Sequence, residues 1–157
     1  MTIRSASEAW EALFRAQVTL MQKFEEAKDF APLRSREYDV LFNLAQLGGR
    51  ARQWELNERL LITQPSLSRM IDRLQAAGYV RREASPSDGR EVIVVLTEEG
   101  ARMQGRIGRR HVRHIAALVD SALTEEEQQQ LAVLADKLRT GALARGTRTE
   151  EPRAETA

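Results

Sequence analysis

The sequence predicts a mainly α fold that carries one small β-wing. Three observations predict it. Apolar residues recur at helical spacing along most of the chain. Two short amphipathic segments, residues 54–61 and 64–77, meet at the tight connection Ile62-Thr63. Two apolar-alternating runs, residues 79–84 and 91–96, then flank Ser85-Pro-Ser-Asp-Gly-Arg90. Two helices at a sharp angle followed by a hairpin make a winged helix-turn-helix, with further helices on either side.

The elements follow in order. Ser5 and Glu8 form the pattern of a capping box. Trp10, Leu13, Phe14, Leu20, Met21 and Phe24 then recur at helical spacing, so a helix is expected from about 6 to 28. Pro32 interrupts it. Ser35 stands where it can cap a second helix, with Tyr38, Leu41, Phe42 and Ala45 on one face and Gly48-Gly49 closing it. Gly78 falls where the helix over 64–77 needs a left-handed cap. Thr97 caps a long helix over about 98–120. Gly100, Gly105 and Gly108 weaken that helix by roughly 1 kcal/mol each relative to Ala, so it depends on packing. Thr124 and Glu127 form another capping box, and Leu131, Leu134, Ala135 and Leu138 continue a stripe to Gly141. Residues 142–157 have no apolar period, and a frayed or disordered tail is expected there.

Composition narrows the function. The chain has 157 residues, enough for one domain with a real core, and no cysteine. Disulfides, cysteine-based zinc fingers and thiol-based peroxide sensing are excluded. No apolar run approaches the ~18 residues of a membrane span, and the N-terminus lacks the apolar stretch of a signal peptide. A cytoplasmic protein without membrane contact is expected. The net charge of +1 is unevenly spread: residues 50–119 hold 13 Arg and 8 acids, while the rest hold 11 basic and 15 acidic residues. Positive charge therefore gathers on the hairpin and the helix after it, as a nucleic-acid surface requires. Solvated helix faces in an Arg-rich chain would give the same count.

The helix over 64–77 is the expected recognition helix. Leu67, Met70, Ile71 and Leu74 share the face that packs inward. Pro65, Ser68, Arg69, Asp72 and Arg73 lie opposite, with Gln64 at the start and Ser66 at the edge. Pro65 is tolerated in the first turn, where its missing N–H had no partner. Small residues let that end approach base edges, and Arg69 and Arg73 can reach guanine or phosphate. The competing reading makes Arg69, Asp72 and Arg73 a surface ion-pair ladder. On the wing, Asp88 stands two residues from Arg90 and can hold it by a charge-assisted hydrogen bond. A positioned Arg there suits the narrow minor groove. A solvated hairpin ion pair is the alternative. Arg81 and Arg82 are candidates for phosphate contact.

These residues resemble the MarR family of bacterial transcriptional regulators. The resemblance runs from about Ser5 to Arg139. It rests on helix order and two motifs, Gln64-Pro-Ser-Leu-Ser-Arg-Met-Ile-Asp-Arg-Leu74 with Gly78-Tyr-Val-Arg-Arg82, and Pro86-Ser-Asp-Gly-Arg90 with Leu96-Thr-Glu-Glu-Gly100. It implies a triangular homodimer, with helices of about 6–30 and 98–140 dimerising and a winged helix-turn-helix over about 34–97. It also implies base contacts from Ser66, Ser68 and Arg69, backbone contact from Arg73, and wing insertion by Arg90 supported by Asp88. The family commonly has another Arg where this chain has Gly89, so one wing contact is absent here.

Family members often sense a small anion or aromatic in a crevice beside the dimerisation helices. Tyr38, Phe42 and His111 are the candidates for lining one, although aromatics at this spacing also serve as plain core. His111 and His114 lack a clear third ligand, so no metal and no cofactor are expected. No nucleophile–base pair, phosphate loop or metal cluster points to an enzyme. The expected function is a homodimeric regulator of a palindromic DNA operator, a repressor released by a small-molecule effector. The alternative is a winged-helix module that binds an acidic protein partner.

Overall fold

The computed structural model describes residues 3–60, 62–85 and 91–146. The chain divides into two compact units, Met1–His114 and Ile115–Ala157. The first holds helices α1 (Ile3–Glu26), α2 (Ser35–Gln46), α3 (Gln53–Leu60) and α4 (Gln64–Ala76). It also holds strands β1 (Arg50–Arg52), β2 (Val80–Ala84) and β3 (Val92–Leu96), and the start of α5 (Glu98–Asp120). The second contains the end of α5 and α6 (Glu125–Gly146). The fold is thus mainly α with a small antiparallel sheet.

The core of the first unit is built from side chains fully removed from water: Val40, Leu41 and Leu44 of α2, Leu56 of α3, Leu67, Ile71 and Leu74 of α4, Val80, Val94 and Ile107. Each such residue is worth roughly 1.5–3 kcal/mol of burial. The inward face read for the recognition helix, Leu67, Met70, Ile71 and Leu74, is the face that is buried.

The sheet has the order β1-β3-β2. Ala84 pairs with Val92 and Val80 with Leu96 across the hairpin, and Arg50 pairs with Val95 on the other edge. The all-apolar β3 is therefore central. Both its edges are hydrogen-bonded, and none of its residues is fully exposed. β1 was not foreseen, because Arg50-Ala-Arg52 has no apolar alternation. Its strand character comes from the second edge of β3, which needs partners for its N–H and C=O groups.

Several expected boundaries shift. The first helix is already formed at Ile3, ahead of the Ser5–Glu8 pattern, so Ser5 is not its cap. The cap of α2 is Arg34 rather than Ser35: Glu37 reaches back to accept the Arg34 N–H at 3.0 Å, and Ser35 is the first helical residue. The last helix continues past Gly141 to Gly146, so residues 142–146 are helical and not tail. The other caps form as read. Thr97 Oγ1 accepts the Gly100 N–H at 3.0 Å, and Thr124 and Glu127 exchange hydrogen bonds of 2.8 and 3.3 Å. Gly78 has a φ of 78°, the left-handed cap. Gly100 proves to be a packing requirement. A Cβ there would lie 2.0 Å from the Tyr79 carbonyl oxygen, so only Gly lets α5 start so close to the strand entry.

Candidate nucleic-acid interface

The outer face of α4 starts from a small N-terminal end. Thr63 Oγ1 donates to Ser66 Oγ at 2.9 Å, Gln64 and Pro65 are exposed, and Ser66 and Ser68 are half-buried. Arg69 is exposed and, among the described residues, makes no ion pair. The helix therefore presents one guanidinium without an ion pair close to its N-terminus, next to the small side chains of Ser66 and Ser68. This matches what a base-reading surface needs.

The other charged residues of α4 do not form a ladder along the helix. Each is tied to a different element. Arg73 Nε donates to Glu37 Oε1 of α2 at 2.6 Å, with the Arg side chain 47% exposed and the Glu only 11%. Burial alone would push the Glu37 carboxyl up. The Arg34 N–H and the Arg73 guanidinium outweigh that and hold it below the usual carboxylate value. Asp72 pairs with Arg82 of β2 at 2.7 Å. The same Arg82 reaches Gln75 Oε1 at 3.1 Å and the Ser68 carbonyl at 3.4 Å. Arg82, read as a phosphate contact, is thus engaged mainly with the recognition helix. It fixes the wing strand against α4.

The hairpin root is closed by the Ser85 N–H donating to the Glu91 carbonyl at 3.0 Å. Glu83 bridges both sheet edges, 2.8 Å from Arg50 and 2.8 Å from Arg81, and Arg52 pairs with Glu91 at 3.0 Å. The tip, with Asp88, Gly89 and Arg90, lies outside the described residues.

Two of the three candidate effector-site residues share a cleft of about 490 Å³ between α2 and α5. Tyr38 and Phe42 form one wall, and Gln104, Arg109, Val112 and Arg113 contribute from α5. Burial pushes the Tyr38 hydroxyl up, against the opposing effect of its hydrogen bond with Gln104. Burial also pushes Asp39 up, partly offset by Arg36 and His111. The third residue, His111, turns to a different group. Its Nδ1 lies 2.9 Å from Oδ2 of Asp29, and His114 Nδ1 lies 3.0 Å from the same carboxylate, whose side chain is 3% exposed. Phe24 meets both imidazoles edge-on, and Arg110 donates to the Asp29 and Ala31 carbonyls. Sequence reading had no signal for Asp29, because its partners lie more than eighty residues away. Among the described residues, no group of three His, Asp or Glu is arranged to hold a metal, and no helix is long and apolar enough to cross a membrane.

Comparison with known proteins settles the family. The MarR family profile matches residues 32–91, which carry α2 to the wing. The regulator PecS of Dickeya dadantii is 32% identical over 104 residues, 65% of this chain, and a helix-turn-helix transcriptional regulator of Bacillus cereus is 30% identical over 129 residues, 82% of this chain and 85% of its own. The chain belongs to the MarR family. Its match to PecS spans just under two thirds, 62%, of that protein. Two solved structures of regulators from Streptomyces coelicolor extend the comparison. Sco3205, a MarR-family regulator in complex with DNA, is 29% identical with a TM-score of 0.76, covering 90% of this chain and 89% of its own. The regulator PcaV, in complex with its natural ligand, is 27% identical with a TM-score of 0.63, covering 80% and 90%. As a MarR-family chain, the protein is a transcriptional regulator of winged-helix type.

Proposed function

We propose that this regulator is a homodimer that binds a palindromic DNA operator and represses until a small aromatic or anionic effector releases it. The observation that carries the DNA reading is the exposed face of α4. Arg69 stands free near its N-terminus while Arg73 and Arg82 are oriented by Glu37 and Asp72. Ser66, Ser68 and Arg69 read base edges, with Gln64 and Pro65 beside them at the DNA; Arg73 meets the backbone, Arg82 stands behind it, and Asp88 and Arg90 carry the wing contact. The DNA complex of a relative this similar supports the reading.

Two further observations support a dimer. Trp10, Leu13, Phe14, Val18 and Met21 of α1 are all exposed. So are Leu131, Val133, Leu134, Leu138 and Leu143 of α6. Apolar rows of this length are expected to be covered by a second copy. For the effector, the cleft beside Tyr38 and Phe42 offers aromatic walls with Arg109 and Arg113 at hand. The test is binding of the protein to its own upstream DNA, followed by a screen of aromatic carboxylates and phenols for release. Tight, salt-dependent binding that a small molecule reverses supports the proposal. Failure to bind any palindromic duplex, with capture of an acidic protein instead, would overturn it.

A further inference from the structure

A second feature of the DNA-facing side lies outside the motifs of the recognition helix. A cavity of about 500 Å³ opens between the first turn of α2 and the outer face of α4. Arg34, the cap of α2, and Arg36 in its first turn border it on one side, and Arg69 and Arg73 of α4 on the other. The serines Ser35 and Ser66 place a hydroxyl on each side. Two carboxylates accompany these four guanidiniums. Glu25 stands at the rim. Glu37 is already committed: Oε2 accepts the Arg34 N–H at 3.0 Å and Oε1 accepts Arg73 Nε at 2.6 Å. That bond uses only Nε of Arg73, and among the described residues its two terminal nitrogens keep no carboxylate of their own. Glu37 therefore aims Arg73, and four guanidiniums against two carboxylates leave the cavity lining net positive.

The backbone adds to this polarity. The N–H groups of Ser35 and Arg36 lie in the first turn of a twelve-residue helix, where no helical carbonyl can pair with them. Guanidinium forks, hydroxyls and first-turn N–H groups are the donors that phosphate oxygens accept from. An aromatic carboxylate would want an apolar wall as well, and Met70 is the sole apolar residue bordering the cavity among those described.

We infer that this cavity is a phosphate seat, and that in the DNA-bound state it holds a backbone phosphodiester of the strand beside the recognition helix. The inference rests on the DNA-binding reading above and adds Arg34 and Arg36 to the contact surface. Neither residue belongs to the α3–α4 pair or to the β2–β3 hairpin. By linking α2 to the same strand as α4, the seat fixes the angle at which the recognition helix enters the groove. It carries no base information, so it acts equally on every sequence.

The experiment compares the full-length wild type with an Arg34→Gln, Arg36→Gln double variant and a charge-matched Arg4→Gln, Arg139→Gln control. Circular dichroism and oligomeric state are checked first; the α2 cap uses the Arg34 backbone, so folding is expected to survive. Affinity for operator and scrambled duplex is then measured across salt concentrations. The inference predicts that the seat variant weakens on both duplexes by a similar factor. Its log–log salt slope should fall by about 2 for a dimer with two seats. The control slope should stay at the wild-type value. A seat variant with an unchanged slope overturns the inference while leaving the DNA-binding reading intact; a wild type that binds no duplex defeats both. A second arm adds inorganic phosphate at matched ionic strength. Competition no stronger than chloride agrees with a seat for the duplex backbone. Specific phosphate binding that the double variant loses, with its salt slope unchanged, would reassign the cavity to a free anion and overturn the DNA assignment.

Discussion

The middle of this chain and its two end helices solve opposite problems. Between Val40 and Ile107 a set of apolar side chains is fully buried, and α4 turns a clean apolar face into that core. In α1 the buried residue is Phe24, near its C-terminal end, and α6 contributes none among the described residues. The ends instead keep Trp10, Phe14, Leu134 and Leu138 in contact with water. A winged helix-turn-helix can therefore stand on its own contacts, whereas the apolar rows of the end helices call for a partner. Stability lies in the middle of the chain, and the proposed assembly draws on its ends.

The largest separation is expected from matched truncations. Ile71→Ala empties a fully buried site and should cost about 2–5 kcal/mol of unfolding free energy in urea. Leu134→Ala, on an exposed row, should change the stability of a dilute monomer by less than about 0.5 kcal/mol. Equal costs would show that α6 is already covered within one chain. The converse pair sharpens the point. Replacing Leu134 and Leu138 together by Asp should weaken self-association by roughly 100-fold or more, since two charges would enter an apolar contact. Sedimentation should then report monomer at micromolar concentration, with helix content retained. A double variant that remains dimeric places the interface elsewhere.

A smaller effect is expected at the Asp29 cluster, which ties the segment before α2 to α5. Asp29→Ala leaves two imidazoles without their acceptor and should cost about 1–3 kcal/mol. Asp29→Asn keeps one acceptor oxygen and should cost less. If the two substitutions are equally mild, the His111 and His114 contacts contribute little.

The smallest effect concerns Glu37 and pH. Its folded-state carboxyl lies below its usual value, so its contribution to stability is complete above the unfolded-state value near 4.5. That contribution is lost as pH falls through the lower, folded-state value. Glu37→Gln should therefore lower stability at neutral pH, by no more than about 1 kcal/mol because its Arg partner is half-exposed. The gap from wild type should close in acid. A gap that is constant with pH would mean that packing, not charge, holds this pair.

Much of this architecture was legible in the sequence because its signals are local. The inward face of α4, the Thr97 and Thr124 caps, the Gly78 turn and the apolar alternation of β3 each lie within a few residues of their cause. What escaped is what the chain brings together from afar. Arg50-Ala-Arg52 becomes a strand only because β3 has a second edge. Asp72 was read with its neighbours Arg69 and Arg73 but pairs with Arg82, which comes back along β2. Nothing local in the sequence sets Glu37 apart, and it is the buried residue that links α2 to the recognition helix. The cap of α2 fell to Arg34 because the Glu37 carboxylate, not a Ser35 hydroxyl, meets the free N–H. In each case the partner is set by tertiary packing, which a helical period does not encode.

The central claim is that α4 reads DNA, with Arg69 on base edges and Arg73 on the backbone. Titration of wild type, Arg69→Ala and Arg73→Ala against operator and scrambled duplex, at several salt concentrations, tests it most directly. The account predicts that Arg69→Ala loses about 1–3 kcal/mol on the operator and far less on the scrambled duplex. Arg73→Ala should weaken both alike and lower the salt slope by about 1 for each protomer bound. Equal losses on the two duplexes for Arg69→Ala would contradict the account and move base reading to Ser66, Ser68 or the wing.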